Sequence, residues 1–293
     1  MFNSKFLPTL EALFAVVVWG ASFIATKVAL REISPVTVVW LRFSMGIVIL
    51  GFAVAIRKQF SLLNKSEWAY FALLGFLGIA FHQWLQSNGL QTSEAGTTAW
   101  IVATTPVFMA LLGWVVLREH LAWMKIIGIL LAFVGVLLVI SDGDFSSIAL
   151  RSFGQPGDIL ILISAVNWSV FSVLSRRGLK AHPATLMMFY VMLFGWGFTS
   201  ILFIGTQDFS EIKHLTFNGW MGMAFLGIFC SGLAYIAWYD ALQALSTAQT
   251  GVFLYIEPLV AVIVAFFILS EAITVASLIG GGIIIFGVWL VNR

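Results

Sequence analysis

Charge is scarce in this chain: Asp, Glu, Lys and Arg make up 10% of its 293 residues, against 61% hydrophobic. A soluble domain of this length has roughly a quarter of its residues charged to cover its surface, so a water-facing globule is excluded. A mean hydropathy of +1.03 fits helices that face acyl chains. Cysteine is scarcer still. Cys230 is the only one, which rules out an intrachain disulfide and a cysteine-based metal site. The histidines, His82, His120, His182 and His214, are scattered. No His/Asp or His/Glu cluster, metal-ligand spacing or glycine-rich phosphate loop accompanies them, which argues against a membrane-embedded enzyme. Long polar connections are missing as well. The longest, Ser141 to Gly157 and Gly205 to Phe217, are too short for a soluble or ATP-binding domain, so function must lie among the apolar segments. Nor does the net charge of +2 point to nucleic acid, because the basic residues sit in short connections rather than in a patch.

The chain does have apolar runs near the 20 residues that a spanning helix needs. They are Leu7 to Leu30, Pro35 to Ile56, Trp68 to Leu90, Gly96 to Leu117, Leu121 to Ile140, Asp158 to Leu179, Pro183 to Ile204, Asn218 to Leu242, Thr247 to Leu269 and Val275 to Val291. Short cytoplasmic loops are enriched in Lys and Arg. With the N-terminus inside, the cytoplasmic segments hold Lys5, Arg57, Lys58, Lys65, Arg118, Lys125, Arg176, Arg177, Lys180 and Arg293, and the opposite side only Arg31, Arg151 and Lys213. Both termini are therefore expected in the cytoplasm, with the protein in the cell (bacterial inner) membrane and lipids around it.

One stretch occurs twice. Gly89-Leu90-Gln91 aligns with Ala241-Leu242-Gln243, and the shift of 152 (242 − 90) then holds without a gap. It carries Pro106 onto Pro258, Leu117 onto Leu269, Glu119 onto Glu271, Gly128 onto Gly280 and Gly135 onto Gly287. Earlier in the chain, Trp19 to Leu30 has its counterpart in Trp168 to Leu179, so reading Gly20-Ala21-Ser22 as a signal-peptide cleavage site would break the repeat. An odd number of spans per copy turns the second copy upside down. The fold predicted is an all-α membrane protein of ten transmembrane helices in two five-helix inverted-topology repeats, 1–141 and 158–293, joined by a linker, 142–157. Such pairs point first to a transporter with its site at the repeat interface.

The residues themselves resemble a known family. Thr105-Pro106, the apolar run to Leu117-Arg118-Glu119, then Gly128 and Gly135, with the second copy Glu257-Pro258, Leu269-Ser270-Glu271, Gly280 and Gly287, is similar to the EamA repeat of the drug/metabolite transporter superfamily. Trp19-Gly20 with Ser22-Phe23, and Arg42-Phe43, look like that family's opening unit. The resemblance implies a ten-helix transporter of small metabolites, commonly an exporter of amino acids or related compounds. It does not imply the solute.

Within the spans, Glu257 is the most informative residue. It falls near the middle of the ninth run beside Pro258, where an ionised side chain costs a few kcal/mol on insertion scales and faces the interior or a water-filled cavity. It reads as the partner of a substrate amine, as a proton carrier, or as a carboxyl kept neutral or bonded to backbone donors freed by the proline. Pro106 and Pro258 are expected to kink their helices and to act in gating. Trp100, Trp168 beside Asn167, Tyr235 with Trp238 and Tyr239, and His82 with Gln86 are polar or aromatic groups at mid-run. They are expected to line one central cavity for flat or apolar solutes, with helix packing as the plainer alternative for each. Lys27 and Arg42 read as snorkelling to the headgroups, with attraction of a carboxylate as the alternative, and Glu119 and Glu271 as helix-end partners of cations or backbone amides rather than substrate ligands.

The expected activity is thus secondary transport of a small organic solute by alternating access, with export the expected direction, a proton the candidate coupling ion, and neither cofactor nor metal. The protein is expected to act as a monomer. A nucleotide-sugar or lipid-carrier translocase on the same fold is the alternative. It would want a wide cationic pocket, and only Lys27 and Arg42 lie inside the apolar runs.

Overall fold

The computed structural model describes residues 6–117, 123–144, 154–206, 209–245 and 253–291, and every regular element among them is helical. In hydrocarbon no water takes up a backbone N–H or C=O, and a helix satisfies both within one segment. The helices are α1 (Phe6–Ala29), α2 (Pro35–Ile56), α3 (Lys65–Gly89), α4 (Ala95–Val102), α5 (Thr105–Leu117), α6 (Trp123–Ile140), α7 (Pro156–Ala181), α8 (Ala184–Thr206), α9 (Ser210–Lys213), α10 (Phe217–Ala244), α11 (Ile256–Leu269) and α12 (Val275–Val291). Eight described stretches are long and apolar enough to cross a membrane, with Ala95–Leu112 one of them, and α11 and α12 are shorter apolar helices. The chain is a multi-pass integral membrane protein. Lys5, Arg118, Glu119, His120, Arg151, Asp208, Arg293 and the expected start of the ninth run at Thr247 lie outside the described residues.

Two crossings are interrupted where continuous helices were expected. A turn at Ala103 and Thr104 separates α4 from α5, and another at Leu254 and Tyr255 precedes α11. Pro106 and Pro258 therefore do not kink the middle of a helix. Each sits in the first turn of one, where the missing N–H has no intrahelical acceptor to lose. Glu257 is likewise a first-turn residue, about 18 Å along α11 from Leu269 at 1.5 Å per residue. A third departure from regular helix is paired. Phe76–Phe81 in α3 and Phe225–Leu233 in α10 wind as π-helix, a form that concentrates at functional positions.

Helix ends are tied by side chains. Ser34 Oγ accepts the Thr37 amide to cap α2, with Pro35 next in the chain. Glu211 accepts the Ser34 amide at 3.1 Å and the Thr37 hydroxyl at 2.6 Å. Burial works against its charge, but these bonds outweigh it and hold the carboxyl below its ordinary range. At the same end Glu271 accepts Lys27 Nζ at 3.1 Å and the amides of Ala95 and Gly96 at 3.0 and 3.1 Å, the helix-end role expected of it. At the opposite end Arg57 forks onto Asp240 at 2.6 and 2.5 Å.

The tightest helix pair is α6 with α12. A Cβ on Gly128 would come within 2.5 Å of the Gly287 carbonyl oxygen, and one on Gly135 within 2.7 Å of the Gly280 carbonyl oxygen. Gly128 meets Gly287 while Gly135 meets Gly280, so the two helices run antiparallel. Backbones this close gain van der Waals contact that larger residues would prevent. Gly135→Val should cost about 1–3 kcal/mol or more through overpacking and lower the melting temperature of the detergent-solubilised protein. Gly282→Ala, where a Cβ meets nothing within 4 Å, should leave it unchanged. Equal melting of both variants would show that the glycine contact does not hold the pair together.

Candidate functional site

The centre of the bundle is built where the interrupted and π-wound elements meet. Arg42 lies seven residues into α2, about 10 Å below its start, and is 4% exposed. It does not snorkel to the headgroups as expected. Its Nε donates to Ser231 Oγ at 3.0 Å, in the π segment of α10, and its Nη1 donates to Gln83 Oε1 at 3.1 Å, just past the π segment of α3. Both partners are neutral. The Phe43 ring lies 5.0 Å from the guanidinium carbon, which adds a cation–π contact.

Phe43 belongs to an apolar cluster rich in aromatic groups. Trp19 of α1 lies 5.4 Å from Tyr235 and 5.4 Å from Trp238, and Tyr235 stacks on Tyr239 at 6.4 Å. On the other side His82 lies 4.6 Å from Trp168, which in turn packs on Phe171 at 4.8 Å. Trp168, Tyr235, Trp238 and Tyr239 share one apolar cluster with Trp19. Glu257 completes the centre. Its side chain is partly buried, with no hydrogen bond or ion pair to another described side chain. Gly20 lets α1 lie directly on the start of α11, since a Cβ there would come within 2.6 Å of the Glu257 carbonyl oxygen.

The expected site residues thus divide. Trp168, Tyr235, Trp238, Tyr239 and His82 are brought together, and the Glu257 backbone lies against Gly20, next to Trp19 in the chain. Asn167 serves the backbone instead, its Nδ2 donating to the Leu77 carbonyl at 2.7 Å inside the π segment of α3. Gln86 is half-buried, one turn beyond Gln83. Trp100 is elsewhere. It is 2% exposed, donates Nε1 to Ser277 Oγ at 3.0 Å, and lies in the cluster between α4, α6 and α12, where Gly281 makes room for its ring. Gln83 and Ser231 were not among the expected cavity residues, Trp19 was read only as part of the opening motif, and Arg42 was expected at the headgroups. Their signal was present: Gln83 adjoins His82, and Ser231 interrupts an apolar run.

A recess lies at the Lys27 end of the bundle. It is a cavity of about 510 Å³ lined by Lys27, Arg31, Gln91, Glu94 and Glu271 among others. Its cation Lys27 is already paired with Glu271.

A helical bundle with apolar flanks, a polar and aromatic centre, and interrupted crossings at that centre has the architecture of a membrane carrier. The chain belongs to the EamA-like transporter family, whose model matches residues 8–141 and again 155–293. It is similar to an uncharacterized transporter of Archaeoglobus fulgidus, 29% identical over 93% of this chain and 93% of that one. It is also similar to the uncharacterized transporter YyaM of Bacillus subtilis, 29% identical over 92% of this chain and 88% of that one. A probable terminal-alkyne amino-acid exporter of Streptantibioticus cattleyicolor is 26% identical over 95% of this chain and 91% of its own length. A solved crystal structure shares the fold, with a TM-score of 0.70 at 20% identity and 97% coverage of both chains.

These positions sort the tryptophans by the effect of their loss. Trp100→Ala should behave as a core truncation, costing about 3–5 kcal/mol and lowering the melting temperature. Trp168→Ala and Trp238→Ala should instead weaken solute binding, read as quenching of intrinsic fluorescence, with a smaller loss of stability. Weakened binding by Trp100→Ala at unchanged melting temperature would contradict this division.

Proposed function

We propose that the chain is a secondary transporter that moves a small organic metabolite, an amino acid or aromatic compound, by alternating access, with export as its direction in the cell. Ten spans in two inverted five-helix repeats, 1–141 and 158–293 joined by 142–157, provide the two mirrored conformations. The observation that carries this reading is an exchange rule in the packing. Residues of the first two runs shift by 149 (168 − 19), and those of the next three by 152 (242 − 90). Packed pairs then map onto packed pairs. Gly46 against Ser231 becomes Gly195 against Ile79, and Gly227 against Met45 becomes Gly75 against Phe194. Gly128 against Gly287 becomes Gly280 against Gly135. Gly20 on the Glu257 carbonyl becomes Ser169, whose Oγ donates to the Thr105 carbonyl at 3.0 Å. The π segments overlap under the same shift. A pseudo-two-fold axis that swaps the halves is the simplest source of such a rule, and it supports inverted repeats around a shared site.

Matched interruptions in the two halves point to the centre as that site. Its aromatic walls suit a flat or apolar solute. Glu257 can hold either a proton or a solute ammonium. One carboxylate that takes the two in turn couples solute export to proton entry. The printed name of the exporter in Streptantibioticus cattleyicolor is consistent with an amino acid as cargo. A nucleotide-sugar or lipid-carrier translocase is the weaker reading, because phosphates call for several cations. Among the described residues of the spans, Arg42 stands at the centre and Lys27 is paired at the end.

Flux tests the function. Purified protein in liposomes should exchange at least one labelled amino acid or aromatic metabolite, and an imposed pH gradient should drive its accumulation. If no solute in such a screen moves above empty liposomes, the carrier reading fails. Orientation is tested separately. Reporters after Lys65, Lys125, Lys180 and Arg293 should read cytoplasmic, and those at Asp144 and Asp208 external. A cytoplasmic Asp144 with an external Arg293 would overturn the inverted arrangement.

A further inference from the structure

Two carboxylates and one lysine share the recess at the Lys27 end. Glu94, Glu271 and Lys27 all line its 510 Å³. Glu271 is fully engaged. It accepts Lys27 Nζ at 3.1 Å and the Ala95 and Gly96 amides at 3.0 and 3.1 Å, and so ties α1 and the start of α4 to the end of α11. Glu94 is idle. It directly precedes Ala95, the position from which a side chain ordinarily caps the first amides of a helix, yet its carboxylate caps nothing and makes no ion pair among the described residues. Partial burial and the Glu271 charge beside it push this carboxyl above its ordinary range. In the second copy the position is Ser246 (94 + 152), so the spare carboxylate belongs to one copy only.

We propose that Glu94 is the second partner of Lys27, and that this end of the bundle opens by passing the ammonium from Glu271 to Glu94. The Lys27 and Glu271 side chains are 22% and 12% exposed, and a cation this enclosed loses free energy when its anion is withdrawn. As the end of α11 draws away from α1 and α4, water replaces the carboxylate at the Ala95 and Gly96 amides, but Lys27 needs a charge. Glu94 supplies it from the wall of the same recess. A lysine suits such an exchange, since its point charge on a flexible stem needs no fixed fork geometry. Arg31 also lines the recess but is exposed to water, which leaves it less need of an anion. A modest gain is enough, because two conformations of similar free energy shift with small differences between them. This inference rests on the carrier reading above for its purpose and adds the step by which one end opens.

Opening can be read without a solute. In the full chain carrying Cys230→Ala, Ala99→Cys places a single thiol one turn into α4, 2% exposed in the cluster that joins α1, α4 and α11. Its labelling by a water-soluble maleimide, on detergent-solubilised protein, tracks the open population where opening and closing are fast against the reagent. Glu271→Gln should raise the labelling rate about twofold to fivefold, the worth of a partly solvated pair. Glu94→Gln should lower it, and should lower it again in the Glu271→Gln background, because Glu94 there still holds the open form. Were Glu94 merely a repelling neighbour of Glu271, its loss would change nothing once Glu271 is neutral. A double variant that labels as fast as Glu271→Gln, or faster, therefore overturns the proposal. Should Glu271→Gln fail to fold, Lys27→Gln takes its place. With the shared cation gone, Glu94→Gln should leave labelling unchanged, and a further fall would assign Glu94 to another partner and overturn the exchange. The two readings fail separately: the labelling pattern decides the exchange whether or not a solute moves, and absence of flux in liposomes removes the carrier reading alone.

Discussion

Inside a bilayer the backbone has no water to fall back on, and the rest of this structure follows from how that constraint is met. Regular helix meets it wherever the chain merely crosses. At the centre the chain departs from regular helix, and three of the four departures have a side chain that donates to a carbonyl there. Asn167 donates to Leu77 in one π segment, and Trp19 donates to Cys230 at 3.1 Å in the other. Ser169 donates to Thr105 just past the break between α4 and α5. The polar groups at the centre therefore serve the fold and shape the site together. Removing one would expose a carbonyl in an apolar setting, a cost of about 1–3 kcal/mol on mutational scales.

This double duty separates Arg42 from the other cations. Lys27 and Arg57 sit at bundle ends, with side chains 22% and 33% exposed, and each has a carboxylate. Partly solvated pairs of that kind are worth little individually, about 0–1 kcal/mol. Arg42 is buried and has no carboxylate within ion-pair distance among the described residues, yet it joins α3 and the π segment of α10 through Gln83 and Ser231. Its position thus ties three helices, α2, α3 and α10, to one side chain.

Hydropathy made the crossings legible, because a long apolar run has few alternatives in a chain this poor in charge. Register made the repeat legible: an unbroken shift that carries Pro106 to Pro258 and Gly128 to Gly280 leaves a pattern no single span could leave. The interior was harder. A proline in an apolar run reads the same whether it bends a helix or begins one, so the turns at Ala103 and Leu254 were hidden. Arg42 stands close enough to the start of its span to read as snorkelling, and only packing shows its side chain turned inward. Trp100 and Trp168 have similar local sequence settings. Their difference lies in partners far along the chain, Ser277 for one and His82 for the other, and neither partner can be inferred from spacing.

The ends and the centre then divide the work of a carrier. On the alternating-access mechanism proposed above, two mirrored conformations must differ little in free energy, or one would trap the solute. Closure at either end rests on a few contacts: Lys27 and the Ala95 and Gly96 amides on Glu271 at one, Arg57 on Asp240 at the other. Each can exchange protein partners for water at small net cost, because a hydrogen bond traded for one to water changes the balance by about 0.5–1.5 kcal/mol. The centre cannot make that trade. On that mechanism, occupancy of the central site, rather than strain at the ends, is what biases which end opens.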